Sequence, residues 1–201
     1  GRDNIFIRFK SNDITCYVNK CKFGILYGYG GNNNRVFVSG NSDFKNVDWF
    51  SAINDMTYFS TDDYSVVGVD PIVGYSRTVS GGLVIHKKLS DTDCTVYYRD
   101  YNSSNQRQIF PLSSGVKNIG CLTPHCCVNF MNDSLFLSEL GIFGLVNNSN
   151  NNDEKFAEER SYYIKPSLLN EEHLENAIAT VNGFRYYLYV NGKVYMADKR
   201  F

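Results

Sequence analysis

Short runs of β-forming apolar residues alternate with turns rich in glycine and asparagine along the whole chain. In several runs apolar and polar positions alternate, as in a strand with one buried face. The pattern predicts strands at 4–10, 14–18, 23–27, 36–38, 48–51, 57–59, 64–68, 72–79, 83–86, 94–99, 108–111, 126–130, 134–137, 140–146, 185–190 and 193–197. The fold class is therefore predicted to be all-β, built from antiparallel meanders.

The turns between these runs predict which strands pair. Asn191-Gly192 is the strongest hairpin signal, because both residues accept the left-handed conformation that a type I′ turn requires. Ser80-Gly81-Gly82 predicts a second tight turn, within a three-strand meander that spans 72–99. A third hairpin-type unit is predicted within 34–59, which contains the only tryptophan, Trp49.

A weak repeat suggests how the meanders are arranged. The runs VFVSG, GLVIHKK, SLFLSEL and KVYMADK begin near Val36, Leu83, Leu135 and Val194. Their spacing of about fifty residues is the scale of one propeller blade, a four-stranded antiparallel meander. About four blades fit the chain, and the alternative is an ordinary β-sandwich whose strands recur by chance.

Only two segments favour helices, at 153–160 and 167–179. In the second, Leu174, Ala177, Ile178 and Val181 follow helical spacing, and Asn182-Gly183 predicts the end of the helix. The polar run 147–153 predicts an exposed loop, and a calcium site there is disfavoured because only Asp153 and Glu154 supply carboxylates.

The composition agrees with a folded domain whose function does not depend on a strong net charge. Apolar residues make up 43% and aromatic residues 15% of the 201 positions, and the net charge is −1. Strong nucleic-acid binding is not expected, because phosphate contacts need clustered lysine and arginine. The pairs Lys87-Lys88 and Lys199-Arg200 are interpreted as solvated surface charge.

We interpret residues 1–201 as a single β-rich domain that is a fragment of a longer chain, because strand-like sequence reaches both ends. No apolar run has transmembrane length, so no membrane contact is expected. The spacing of the six cysteines is not the dense framework of a small secreted domain, which favours free thiols in a reducing compartment.

No catalytic, cofactor-binding or metal-binding residue is assigned. Cys121, His125, Cys126 and Cys127 are candidate zinc ligands, with Cys16 and Cys21 as further thiolates. Zinc is disfavoured because no tight Cys-x-x-Cys pair is repeated. A nucleophile formed by Cys121 or Cys126 with His125 is disfavoured because near neighbours in sequence rarely reach the required geometry.

Other catalytic patterns are equally weak. The glycine-rich loop at 28–34 leads into a strand and lacks the lysine of a phosphate-binding loop. The acidic pairs Asp62-Asp63, Asp91/Asp93 and Glu171-Glu172 leave open a glycosidase, which needs two carboxyls across a cleft. A Ser-His-Asp arrangement has three histidines available but no Gly-x-Ser-x-Gly elbow. We expect no enzymatic activity and no cofactor.

One stretch carries a family resemblance. The residues Arg35-Val36-Phe37-Val38-Ser39-Gly40-Asn41, Trp49, Asp55, Thr57-Tyr58-Phe59 and Val67-Gly68 resemble a pattern of tailed-phage and prophage neck or tail proteins of gut Firmicutes. These are of the stopper, tail-nozzle or packaged-DNA-stabilisation type. Ser42 stands where the pattern has proline, which affects the expected turn shape. The match covers about a quarter of the chain.

The resemblance implies a non-enzymatic virion structural protein that acts at the head–tail junction by protein–protein assembly. It implies other virion proteins as partners, self-association of the full-length form, passive contact with DNA, and location in the virion after assembly in the bacterial cytoplasm. Near-neutral charge suits a channel through which DNA slides. The alternatives are a carbohydrate-recognition or receptor-binding module and a propeller glycoside hydrolase.

Overall fold

The computed structural model describes residues 13–28, 34–78, 81–99, 110–131, 133–147 and 155–199. In these ranges the chain is all-β, with fifteen strands and a few short helical segments. The strands form four small antiparallel sheets, which follow one another along the chain. The predicted strand at 4–10, most of the polar run 147–153 and most of the glycine-rich loop 28–34 lie outside the described residues.

The sheets are numbered in chain order. Sheet one contains β1 Phe23–Tyr27, β2 Arg35–Ser39, β3 Val47–Phe50 and β4 Tyr64–Val66. Sheet two contains β5 Ile72–Arg77, β6 Leu83–Lys87, β7 Val96–Arg99 and β8 Leu112–Ser114. Sheet three contains β9 Val128–Phe130, β10 Asp133–Ser138, β11 Gly141–Asn147 and β12 Lys155–Glu159. Sheet four contains β13 Ile178–Asn182, β14 Arg185–Val190 and β15 Lys193–Asp198.

Each sheet is a meander in which strands adjacent in sequence pair. The first strands touch in succession: β1 contacts β5, β5 contacts β9 and β9 contacts β13. Radially arranged blades with adjacent first strands are typical of propellers. Within the described residues no comparable contact joins β13 to β1, so the sheets are described as a series of four propeller-like blades and not as a closed ring.

Apolar side chains from facing sheets fill the space between them. On β6, Leu83 and Ile85 pack toward sheet one, whereas Val84 packs toward sheet three. On β10, Phe136 packs toward sheet two, whereas Leu135 and Leu137 pack toward sheet four. This alternation follows from the period of two residues in a strand. Sheets two and three are therefore covered on both faces, and sheet four is covered on one.

The Asn-Gly hairpin is confirmed. Asn191 and Gly192 have φ values of 49° and 78° and join β14 to β15. The repeat also has a structural counterpart, because its first three members are β2, β6 and β10, the second strand of each sheet. The fourth member lies one strand later, on β15.

The predicted strand at 14–18 is wrong, because Asp13–Val18 forms a short helix, α1. Ile14 and Val18 are four residues apart and so lie on one helical face. Both pack beside Trp49 on the outer face of sheet one. The apolar residues of this segment were compatible with either period.

Both predicted helices are also wrong in extent. The segment 153–160 contains β12, which pairs with β11. In 167–179 only α2 Lys165–Leu169 and a 3-10 turn at Leu174–Asn176 are helical, and β13 follows. Ala177 and Ala179 are buried and Ile178 is exposed, which is a strand period. Pairing with β14 therefore makes residues 178–182 a strand and not a helix.

Smaller corrections concern strand ends. The predicted strand at 57–59 is a turn, in which the Asp55 carboxylate accepts hydrogen bonds from the Thr57 amide and hydroxyl at 3.0 and 2.7 Å. Residues 108 and 109 of the predicted strand at 108–111 lie outside the described residues; Phe110 and Pro111 are not in a strand, and β8 begins at Leu112. Since β8 pairs with β7, the predicted three-strand meander is a four-stranded sheet.

Candidate functional site

Lys87, predicted to be a solvated surface charge, is completely buried at the end of β6. Its Nζ donates to the Val67 carbonyl at 2.7 Å and to Asp93 Oδ2 at 2.5 Å. The Tyr97 hydroxyl donates to Asp93 Oδ1 at 2.5 Å, and the Val69 amide donates to Oδ2 at 2.7 Å. Burial opposes ionisation of Asp93, but these hydrogen bonds outweigh it and hold the pKa of the carboxyl well below its usual range.

This network leaves space only for a glycine beside it. Gly68 has a φ of 54°, and a Cβ there would lie 2.0 Å from Asp93 Oδ2 and 2.5 Å from Lys87 Nζ. Gly68 is thus required by its backbone conformation and by its neighbours. The cluster ties the end of sheet one to sheet two, and all of its charged atoms are engaged within the fold.

A second buried ion pair joins sheets one and two. Arg99 Nη2 and Nε donate to Asp48 Oδ1 and Oδ2 at 2.7 and 3.3 Å, and Nη1 donates to the Phe110 carbonyl at 3.0 Å. The guanidinium also lies over the rings of Phe37 and Phe50, 5.6 and 5.9 Å from their centroids. A charge with this many partners is positioned for structure rather than for a ligand.

A serine–histidine pair is present, but it lies between sheets two and three. His86 Nε2 is 2.6 Å from Ser76 Oγ, which also contacts Ser134 Oγ. His86 is 0% exposed, and burial lowers its pKa to about 3. Its Nδ1 has no hydrogen-bond partner among the described residues. The pair therefore lacks the orienting acid and the access that a triad nucleophile needs.

The cysteines considered for zinc are only partly brought together. Cys121 Sγ and Cys127 Sγ are 3.4 Å apart, and Cys126 Sγ donates to the Ala177 carbonyl at 3.3 Å. Burial raises the pKa of Cys126 to about 12, so this thiol stays protonated. His125 is exposed, and Cys16 lies on α1, against the far face of sheet one.

All six cysteines are free. In the part of the chain that the structure describes, no three His, Cys, Asp or Glu side chains converge as metal ligands.

The acidic pairs do not face one another across a cleft. Asp62 and Asp63 precede β4, Asp93 belongs to the Lys87 network, and Glu171 follows α2. Glu171 accepts hydrogen bonds from Lys193 Nζ at 2.5 Å and from the Tyr195 hydroxyl at 2.8 Å.

The residues of the family-like pattern have structural positions. Phe37 lies in the core between sheets one and two, and Trp49 is buried on the outer face of sheet one. Asn41 Oδ1 accepts from the Asp43 amide at 2.8 Å, and its Nδ2 donates to the Tyr17 carbonyl at 2.9 Å. Trp49 is 3% exposed, and the rings of Tyr17 and Phe44 pack against it.

Within the described residues, the outer face of sheet four exposes a group of apolar side chains. Ile178, Tyr189 and Val194 are cross-strand partners in one row, and Met196 lies on the same face. These four side chains are 49–60% exposed, whereas Ala179, Tyr186, Leu188 and Val190 on the opposite face are buried. Contiguous exposed apolar area of this kind marks a surface that contacts another molecule.

A cleft of about 650 Å³ opens between sheets three and four, beside β15. Its walls are mainly aromatic and aliphatic, with two carboxylates at its rim. Each carboxylate is bound by an arginine: Arg160 Nε donates to Asp133 at 2.8 Å, and Arg185 Nε donates to Asp198 at 2.8 Å. The lining residues with the most bearing on a ligand are Phe130, Tyr163, Tyr186, Tyr195, Ala197 and Lys199.

Tyr186 forms part of the wall of this cleft. Its side chain is 3% exposed, and its hydroxyl has no hydrogen-bond partner among the described residues. Sequence reasoning missed the cleft because its walls come from positions far apart in the chain, such as Phe130 and Tyr195. The alternation of β14 was the only available signal that Tyr186 points inward.

No helix within the described ranges is long and apolar enough to cross a membrane. Comparison with protein-family models and with curated protein sequences found no match to this chain.

Proposed function

We propose that this protein is a non-enzymatic structural component of a phage or prophage virion, acting by protein–protein assembly at the head–tail junction. The observation that carries the proposal is the open apolar face of sheet four, formed by Ile178, Tyr189, Val194 and Met196. Sheets two and three bury both of their faces against neighbouring sheets. A further apolar surface packed on sheet four would continue the same stacking.

The engagement of the buried charges supports a structural role. There are two buried ion pairs, Lys87–Asp93 and Arg99–Asp48. In each pair the basic side chain also donates a hydrogen bond to a backbone carbonyl. Perturbed ionisable groups that serve chemistry lie in clefts within reach of substrate. Here the perturbed groups lie between sheets, which favours a molecule that works through its surfaces. The phage assignment rests on the resemblance of the segment that forms β2, β3 and their turns.

Self-association through this face is tested by sedimentation velocity over a concentration range from about 1 to about 100 µM. We expect the wild-type protein to form larger species as concentration rises, and Tyr189→Ser with Ile178→Ser to shift that transition upward by about tenfold or more. Thr180→Ser, on the same strand, is the matched control and should behave as the wild type. Equal sedimentation of all three proteins would contradict the proposal for this face.

A carbohydrate-recognition or receptor-binding role is the second candidate. It is favoured by Tyr162 and Tyr163, whose rings lie 5.4 Å apart and are 75% and 94% exposed. Exposed aromatic rings are the usual platforms for apolar sugar faces. A glycan array compared between wild type and Tyr163→Ala tests it, and binding that survives the substitution would count against these rings.

A further inference from the structure

Sheet four has three strands in the described residues, whereas the other three sheets have four each. Its outermost strand, β15, pairs with β14 on one side only. Backbone N–H and C=O groups along an unpaired edge are a template for a further strand. The question is whether this edge differs from the outer edges of the other sheets.

The other outer edges are protected in ways that natural proteins commonly use. β4 and β8 are each three residues long, and β12 has the charged sequence KFAEE. β15 is six residues long, without proline or a bulge, and exposes Val194 and Met196 at its centre. Short length and charge discourage edge pairing, so β15 is the least protected of the four.

The register identifies the backbone groups that face outward. Asn191-Gly192 is a two-residue loop, so Val190 and Lys193 form a hydrogen-bonded pair. Hydrogen-bonded and non-hydrogen-bonded pairs then alternate along β14 and β15. The Lys199 amide donates to the Phe184 carbonyl at 3.1 Å, which agrees with this alternation. The N–H and C=O groups of Val194 and Met196 therefore point away from β14, toward the open edge.

The cleft follows the same edge. It is lined by the consecutive residues 195–199, and a second, polar hollow lies beside Lys193, Val194 and Tyr195. Tyr195 and Ala197 face sheet three, so the cleft is the space that the inward side chains of a fourth strand would occupy. Its aromatic wall includes the buried and unpartnered hydroxyl of Tyr186.

We propose that β15 and the adjoining cleft form a docking site for an extended peptide segment of a different protein chain, which adds to sheet four as its fourth strand. Main-chain hydrogen bonds to Val194 and Met196 give affinity, and alternate side chains of the segment fill the apolar cleft. The inference deepens the proposed assembly function, but it concerns the edge of sheet four and not its face.

Charge indicates that the segment belongs to a different protein. If two β15 strands paired antiparallel with Met196 opposite Met196, Lys199 would stand opposite Lys193, whose ammonium is already bound to Glu171. Two lysines opposite each other are unfavourable, and Lys199 would gain no counter-charge. Lys199 is exposed and has no ion pair among the described residues. A segment with apolar residues at alternate positions and an acidic residue opposite Lys199 matches both features.

The test uses a synthetic, acetylated and amidated peptide in which valine and threonine alternate and one end carries glutamate. A second peptide of the same sequence has N-methyl groups on the alternate residues whose N–H groups would face β15, which removes its donors to β15. We expect the first to bind the wild-type protein with a dissociation constant below about 1 mM and the second to bind at least about tenfold more weakly. Hydrogen exchange should slow at the Val194 and Met196 amides.

Met196→Pro removes the one outward amide at the centre of the edge without removing a bond to β14. We expect it to weaken the peptide by about tenfold or more, whereas Met196→Ala changes the side chain alone and should stay within about threefold. Circular dichroism of both variants checks the fold. The N-methyl peptide tests the same bonds on unaltered protein if Met196→Pro does not fold.

Equal binding of both peptides, unchanged affinity of Met196→Pro, or no binding of the first peptide would each overturn the proposal. A wild-type dimer that Met196→Pro abolishes and Met196→Ala retains would show that a second copy occupies the edge, and the assignment to a different chain would be wrong. Loss of self-association in the Tyr189→Ser and Ile178→Ser variant, with peptide binding intact, would separate the face from the edge.

Discussion

Stability should fall between neutral and mildly acidic pH because of one buried histidine. His86 is 0% exposed between sheets two and three, and burial lowers its pKa to about 3. In the unfolded chain a histidine has a pKa of about 6.5. As pH falls below that value the unfolded state binds a proton that the folded state does not, so the folded state loses stability until its own pKa is reached.

The size of the effect follows from the two pKa values. Between about pH 7 and about pH 5, proton uptake by the unfolded state alone lowers the free energy of unfolding by about 2 kcal/mol. The other histidines, His125 and His173, are exposed. Most carboxyl groups titrate at lower pH, but burial raises the pKa of Asp48. The difference between the wild type and a variant that lacks His86 therefore isolates the contribution of His86.

Urea unfolding at a series of pH values measures the effect, with fluorescence of the buried Trp49 as the probe. His86→Gln keeps a polar group near Ser76 but cannot titrate, so we expect its stability to vary by less than about 0.5 kcal/mol over the same window. His173→Gln, at an exposed site, is the matched control and should keep the wild-type dependence. A His86→Gln protein with the wild-type pH dependence would refute the reasoning.

Three further substitutions test the buried polar groups. Asp48→Asn should lower the free energy of unfolding by about 3–5 kcal/mol, because it leaves Arg99 buried without its counter-charge. Urea titration checks this value. The double variant Asp48→Leu with Arg99→Met removes both charges and should lower the free energy of unfolding by less. Asp93 has a depressed pKa, so its contribution to stability is full above about pH 4 and is lost as pH falls further. The stability of Asp93→Asn should therefore depend less on pH below about pH 4, and the same acid dependence as the wild type would count against the network. Gly68→Ala should lower the thermal midpoint by several degrees, since a Cβ would meet Asp93 and Lys87, and an unchanged midpoint would contradict the required glycine.

Local signals were enough to predict the strands with clear turns. Asn191-Gly192 marks the last hairpin because only a few residue types accept its backbone conformation. The fifty-residue repeat placed β2, β6 and β10 correctly in successive sheets, because each is a buried second strand with an apolar run. These features depend on neighbours in sequence, and they suffice for the all-β fold class.

Other features depend on neighbours in space. Leu174, Ala177, Ile178 and Val181 follow helical spacing, but pairing with β14 makes Ile178–Asn182 a strand. Lys87 looked like a surface charge because the sequence does not show that Asp93 and the Val67 carbonyl reach it. The outer face of sheet four was not predictable for the same reason, since exposure depends on whether another sheet covers it.

The most direct test of the account is the presence of this protein in virions. Particles assembled with the wild-type protein and with the Tyr189→Ser, Ile178→Ser variant would be purified by density gradient and compared by quantitative immunoblot, with Thr180→Ser as control. The account predicts that wild type and control are incorporated and that the face variant is depleted by about tenfold or more. Absence of the wild-type protein from particles, or equal incorporation of the face variant, would contradict it.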